Sequence, residues 1–281
     1  MSEMPATQSI HLDVENHIAQ LRLTHPQTRN SMDAQFWREL ALVVAHMEQR
    51  SDIRAIVVSG EGPHFSSGID LNFINELFTV EQASDGHRRD TISSRIRLLQ
   101  QAFLRLERLS APVIMAVHGG CIGAALEFAC AGDLRICTTD TFFQLKEVQL
   151  GIVADLGGLQ RLTHLIPTGA AREMAYTGRR ISAEEALTWG LVNRLCATVD
   201  ALQDAALDIA RQIAANPPLT MKYVKETLVA RHSAAIEYDL RIAATQQVAY
   251  SIDGDARKAL AAIREGKSAE FDDLVLPRGL V

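Results

Sequence analysis

VHGGCIGAALEFACAGDLRICTTDTFFQ, residues 117 to 144, joins three kinds of pattern in one short run. APVIMAVHGG, 111 to 120, is an apolar strand that runs into glycines, and GAALEFACAGD, 123 to 133, suits a helix. DLRICTTDTFFQ, 133 to 144, suits a strand and turn. Strand, glycine break, helix and strand in so little chain mark an alternating α/β architecture.

The same alternation continues on both sides. HIAQLRLTHP, 17 to 26, alternates apolar and polar residues and stops at proline, as a strand with one face in the core does. MDAQFWRELALVVAHMEQ, 32 to 49, has near-helical apolar spacing, and RAIVVSGEG, 54 to 62, is a short β-branched strand closed by glycines. FINELFTVEQASDGHRRDTISSR, 73 to 95, turns polar and predicts a loop or loosely packed helix, the usual place for a gating segment; IRLLQQAFLRLERLSAP, 96 to 112, then reads as helix. In SAEEALTWGLVNRLC, 182 to 196, Ser182 and Glu185 form a capping-box pattern and Gly190 ends the helix. Beyond residue 200 the pattern is helical, on either side of Pro217 and Pro218.

A chain of 281 residues with 47% hydrophobic and 22% charged residues can bury one large core with an appendage. The patterns divide it into an α/β core over 1–200 and a helical region over 201–281. The net charge of -6 and the absence of long Lys/Arg runs argue against a nucleic-acid surface. MSEMPATQSI lacks a secretory pattern and no apolar stretch is long enough to span a bilayer, so a cytoplasmic protein without membrane partners is expected. Cys121, Cys130, Cys137 and Cys196 have neither a CxxC pair nor a metal spacing and read as reduced core residues. Cys121, in the glycine-rich turn, has no evident histidine partner that would make it a nucleophile.

Two glycine sites can present backbone donors. Gly119, Gly120 and Gly123 precede a helix start, whose unpaired N–H groups favour negative charge, unless they serve only close packing. In HFSSGIDL, 64 to 71, small residues and Gly68 let the Ile69 N–H point into a site; a surface turn is the alternative. KEVQLGIVADLGGLQRL, 146 to 162, sets Glu147 and Asp155 in an otherwise apolar, amide and glycine-rich run, and Glu127 lies in the short helix upstream. Buried acids need partners or chemistry. Structurally, Glu127 could be an early-helix acid, Glu147 could pair with Lys146 or Arg161, and Asp155 could cap a helix beginning near Leu156.

HIAQLRLTHPQTRNSMD, HFSSGIDL and the segment from Val117 to Leu162 resemble, in that order, the crotonase superfamily, the enoyl-CoA hydratase/isomerase family, over about residues 10 to 230. The resemblance implies an α/β spiral of repeated β-β-α units with a helical C-terminal region. It implies an acyl-CoA thioester as substrate, without metal or redox cofactor. It places two oxyanion donors at the N–H groups of Ile69 and Ala124, where relatives usually have glycine at the second position. Ser67, Gly68, Asp70 and Gly123 fall around the substrate.

Glu127 and Glu147 match the two catalytic glutamates of hydratases. Asp155 stands where hydratases usually have glycine, and the Glu147–Asp155 pair resembles that of Δ3,5-Δ2,4-dienoyl-CoA isomerases, whose third acid, normally aspartate, is matched by Glu127. The implied activity is a shift of conjugated double bonds; a 2-enoyl-CoA hydratase using Glu127 and Glu147, or a non-catalytic acyl-CoA binder, are the alternatives. His64 and His118 match no catalytic position, and His87, Arg88 and Arg89 read as a solvated cluster that could meet CoA phosphates. The C-terminal helices, with Lys222 and Lys225, resemble the part that packs homotrimers, often paired into hexamers, and completes CoA sites.

Overall fold

In the computed structural model, which describes residues 6–81, 84–251 and 254–274, the chain starts with an antiparallel pair, β1 (Ile10–Glu15) and β2 (Ile18–Leu23). It continues through α1 (Ala34–Glu48), β3 (Ala55–Gly60), α2 (Leu71–Phe78), α3 (Asp85–Glu107), β4 (Val113–Val117), β5 (Gly120–Ile122) and α4 (Ala124–Cys130). Next come β6 (Leu134–Thr138), β7 (Phe142–Gln144), α5 (Gly158–Leu165), α6 (Thr168–Thr177), β8 (Ile181–Ser182), α7 (Ala183–Trp189) and β9 (Arg194–Cys196). The helices α8 (Val199–Ala214), α9 (Pro218–Gln246) and α10 (Asp255–Glu265) close the sequence.

Six strands form one sheet in the order β1-β2-β3-β4-β6-β9, parallel from β2 onward, and β5-β7-β8 form a smaller sheet. This is the expected α/β spiral, successive turns contributing strands to the large sheet and, through β5, β7 and β8, to the small one. The central strands β3 and β4 are buried along their whole length, as parallel strands covered on both faces must be.

Alternation along those strands separates two cores. Ile18, Ala55, Val57, Ile114, Ala116 and Ile136 face α8, which meets them with Leu202, Ala206, Ala210 and Ala214. Alanines four residues apart let that helix approach the sheet closely. The opposite set, including Ile56, Val58, Val113, Met115 and Val117, joins the main core with α1, α3 and α4. The helical region beyond residue 200 thus supplies one layer of the sheet's own packing.

The described residues of the polar segment 73–95, which are 73–81 and 84–95, are more ordered than its composition implies. Asp70 caps α2 through the N–H groups of Asn72 and Phe73, and Ser84 caps α3, which starts at Asp85 instead of near residue 96. His87, Arg88 and Arg89 therefore lie in the first turns of a helix. Three bonds from Arg95 Nη1 to the carbonyls of Glu76, Leu77 and Thr79 tie the end of α2 to α3. Tertiary bonds of this kind compensate for the weak apolar periodicity that hides the helix in the sequence. The Ser182–Glu185 capping box forms as expected, with Gly190 left-handed at the helix end.

Candidate active site

The site grows from the break between β4 and α4. Gly119 and Gly123 have positive φ, so the chain can reverse twice between the two sheets. Alongside runs the 64–70 loop: Phe65 N–H donates to the His118 carbonyl, Ser66 N–H to the Gly120 carbonyl, and Ile122 N–H back to Ser66. Asn30, left-handed at φ 52°, fastens the loop from outside. Its Nδ2 donates to the carbonyls of Glu61, His64 and Phe65, while its Oδ1 accepts from His25 N–H. The turn between β2 and α1 is thereby the brace of the loop that carries Ile69.

Gly68 brings the two donor segments together. A Cβ built there lies 3.3 Å from Ala124 N, so the loop holding Ile69 passes directly over the start of α4. Ile69 and Ala124 line one cavity, and neither N–H has a hydrogen-bond acceptor among the described residues. Ser67, Gly68, Asp70 and Gly123 flank these two positions in sequence but are not among the residues that line the cavity, and Asp70 is occupied in capping α2.

All three acids line the same cavity, which has a volume of about 30 Å³ and is walled by side chains including Ile74, Leu77, Phe78, Ile96 and Leu99. Glu147, on a single 3-10 turn after β7, points an oxygen at Gly123, 2.8 Å from where a Cβ would stand. Its Oε2 is buried without a partner among the described residues. Asp155 lies in the 151–157 loop; α5 begins only after Gly157 and has no side-chain cap, so Asp155 caps no helix. Arg161 does not pair with Glu147, since its guanidinium is engaged with Glu107 at 2.8 and 2.9 Å.

Glu127 is buried in α4, and its Oε2 accepts from the N–H groups of Leu156 (2.9 Å) and Gly158 (2.7 Å). One acid thus holds the loop that carries another. Burial pushes the Glu147 carboxyl well above the usual range, and the charges of Glu127 and Asp155 push further. Asp155 is raised by burial and by Glu127. Burial also raises Glu127, to about 7, against the opposing pull of the Gly158 and Leu156 N–H groups and Arg161.

Glu127 therefore makes stability depend on pH. Between its ordinary value near 4.5 and about 7, the folded state keeps a proton that the unfolded chain has released, so stability falls as pH rises through that window. Glu127→Gln keeps an acceptor for both N–H groups and removes this penalty, on the order of 3 kcal/mol above the window. Thermal unfolding should show a gain for the variant that is larger at pH 8 than at pH 5; an equal difference at both would contradict the assignment.

The remaining sequence candidates are structural. The four cysteines are free and buried, and burial raises the Cys121 thiol well above its ordinary value, against a nucleophilic role. His64 Nδ1 accepts from Gly120 N–H, and burial lowers its pKa; His118 Nε2 contacts the Gly62 carbonyl. Lys225 is buried, with its ammonium paired to Asp133 at 2.8 Å and to the Ala111 carbonyl at 3.0 Å. Among the described residues no helix is long and apolar enough to cross a membrane.

Sequence reasoning missed Asn30 as a brace, and with it two buried amides, Gln100 and Gln247. Gln100 interrupts the apolar face of α3, which is a usable signal; Gln247 has none in the sequence.

The profile of the enoyl-CoA hydratase/isomerase family matches residues 13–274. The chain belongs to this family. It is 36% identical over 269 residues to the mitochondrial Δ(3,5)-Δ(2,4)-dienoyl-CoA isomerase of Mus musculus, covering 92% of this chain and 81% of the relative. It is 34% identical to the peroxisomal Δ(3,5)-Δ(2,4)-dienoyl-CoA isomerase of Arabidopsis thaliana, covering 98% and 99% of the two chains. A crystal structure of an enoyl-CoA hydratase/isomerase from Mycobacterium paratuberculosis superimposes with a TM-score of 0.81 at 25% identity, over 92% of this chain and 99% of that one. The protein is thus an enzyme of the crotonase superfamily, for which the family implies an acyl-CoA substrate.

Proposed function

We propose that this enzyme converts a 3,5-dienoyl-CoA to the 2,4-dienoyl-CoA. The observation that carries the reading is the presence of Asp155 beside Glu147 in the cavity that Ile69 and Ala124 line. The reaction removes a proton from C2, moves the double bonds from 3,5 to 2,4 through an enolate-like species, and returns a proton at C6. The N–H groups of Ile69 and Ala124 would stabilise charge gathering on the thioester oxygen. Proton transfer at two separated carbons calls for two carboxyl groups, which Glu147 and Asp155 supply. Acids that share a buried site cannot all ionise near neutral pH, so one can stay protonated as the acid while another serves as base. No metal or redox group enters this chemistry.

Glu127 bears on the competing reading, a 2-enoyl-CoA hydratase that would use Glu127 and Glu147 to hold water. One Glu127 oxygen is already committed to the Leu156 and Gly158 N–H groups, which favours an anchoring role. Following the ultraviolet absorbance of a 3,5-dienoyl-CoA and of a 2-enoyl-CoA with the purified enzyme separates the two. Hydration of the enoyl thioester without any dienoyl shift would reject the isomerase; binding of both thioesters without reaction would leave an acyl-CoA binder.

We also propose a homotrimer or hexamer assembled through the C-terminal helices. In support, α9 exposes Leu219, Tyr223, Leu228 and Tyr238 to solvent in the single chain.

A further inference from the structure

The loop that carries Asp155 is held in place by amides that belong to other elements. Gln100 of α3 is 2% exposed, and its Nε2 donates to the Asp155 carbonyl at 2.6 Å and to the Leu240 carbonyl of α9 at 2.9 Å. Both hydrogens of that amide are used, one on the loop and one on the helix. Gln247, 1% exposed, opens the π-helical turn 247–251 that follows α9. Its Oε1 accepts from Val153 N–H at 2.8 Å, and it lines the cavity with Glu147 and Asp155. The change of helical pitch at this turn is what a short π segment does when a side chain must be re-aimed into a site.

With Glu127 holding Leu156 and Gly158, the loop is fastened at Val153, Asp155, Leu156 and Gly158. The bonds to the Asp155 carbonyl and the Leu156 N–H both fix the peptide that follows the Asp155 Cα, and the bond at Val153 N–H restrains the chain two residues before it; together they limit the direction of its Cα–Cβ bond. We infer that Gln100 and Gln247 are positioning residues that set the Asp155 carboxyl at one of the two carbons where protons are exchanged. The inference rests on the isomerase reading above and assigns how one of its two proton carriers is aimed. Fastening from two helices suits a reaction with separated proton transfers, because the second carboxyl must keep a fixed distance from the first. Misplacement by about 1 Å is enough to cost about a hundredfold in rate.

Gln247→Met keeps the side chain's length and removes the acceptor for Val153 N–H. The expected result is a fall in kcat for the dienoyl shift of about 10- to 100-fold with KM little changed. In the Asp155→Asn background the same substitution should have almost no further effect, since a residue that acts through Asp155 has nothing left to aim. A second readout is isotopic. In deuterium oxide Gln247→Met and Asp155→Asn should both lose solvent deuterium incorporation at the same carbon, C2 or C6, and keep it at the other. Gln100→Met should show the same signature; if it fails to fold, Gln247→Met decides alone.

An unchanged kcat, an equal loss in both backgrounds, or exchange slowed alike at both carbons would overturn the positioning role while leaving the isomerase intact. A parent enzyme without any dienoyl shift would overturn both.

Discussion

Replacing Asp155 by asparagine is expected to lower kcat for the 3,5-to-2,4 dienoyl shift by about 10²- to 10⁴-fold, the range that one general acid or base supplies. Asparagine has nearly the same shape. The bond that Gln100 makes to residue 155 is to its backbone carbonyl, and the Glu127 bonds go to neighbouring N–H groups, so the loop should stay in place. What disappears is the ability to give or take a proton.

The substitution also removes one of the charges that raise Glu147, so the residual activity should titrate at lower pH than in the parent. Rate against pH for a dienoyl thioester, with thermal unfolding as a control, measures both effects. A parent-like kcat in a normally folded variant would remove Asp155 from the chemistry.

The second large effect is expected at Gly68. Its φ of +83° is unfavourable for any side chain, and an added Cβ would collide with the Ile122 carbonyl oxygen and sit 3.3 Å from Ala124 N. Because the obstacle is backbone, no rotamer change relieves it. The 64–70 loop must move away from α4, which separates the Ile69 and Ala124 donors.

Loss of one oxyanion donor costs about 10²- to 10³-fold, and Gly68→Ala should impose a loss of that size on every acyl-CoA reaction of the site. Asp155→Asn, in contrast, should spare reactions that need only Glu147. Gly169→Ala provides the control: nothing lies within 4 Å of its added Cβ, and activity should be unchanged. Equal activity of Gly68→Ala and parent would show that the two N–H groups do not act together.

Local patterns carried much of the fold. The apolar runs of β3 and β4, the glycines after β4, and the Ser182–Glu185 cap each read correctly because each is decided within a few residues. The N-terminal half of α3 did not. Its stability comes from the Ser84 cap and from Arg95 reaching across to α2, neither of which leaves apolar periodicity in the segment itself. The strand β1 also went unread: its order depends on Glu39 of α1, whose carboxylate accepts from the N–H groups of Gln8, Ser9 and Ile10 at its edge.

For the site the division is sharper. By itself the sequence determined which residue types are present: three acids in apolar company, two glycine-broken loops and an uncommon aspartate at 155. It also determined where the chain can turn, since only glycine accepts the backbone angles at positions such as Gly68 and Gly123 at little cost. Tertiary structure alone decided that Glu127 grips the Asp155 loop, that Arg161 is spent on Glu107, and that Gln100 and Gln247 fasten the same loop from α3 and the end of α9. The Gln100–Asp155 and Gln247–Val153 contacts join residues 55 and 94 positions apart. A hydrogen bond extends only about 3 Å, so its partner is set by how the helices pack and leaves no mark in local spacing.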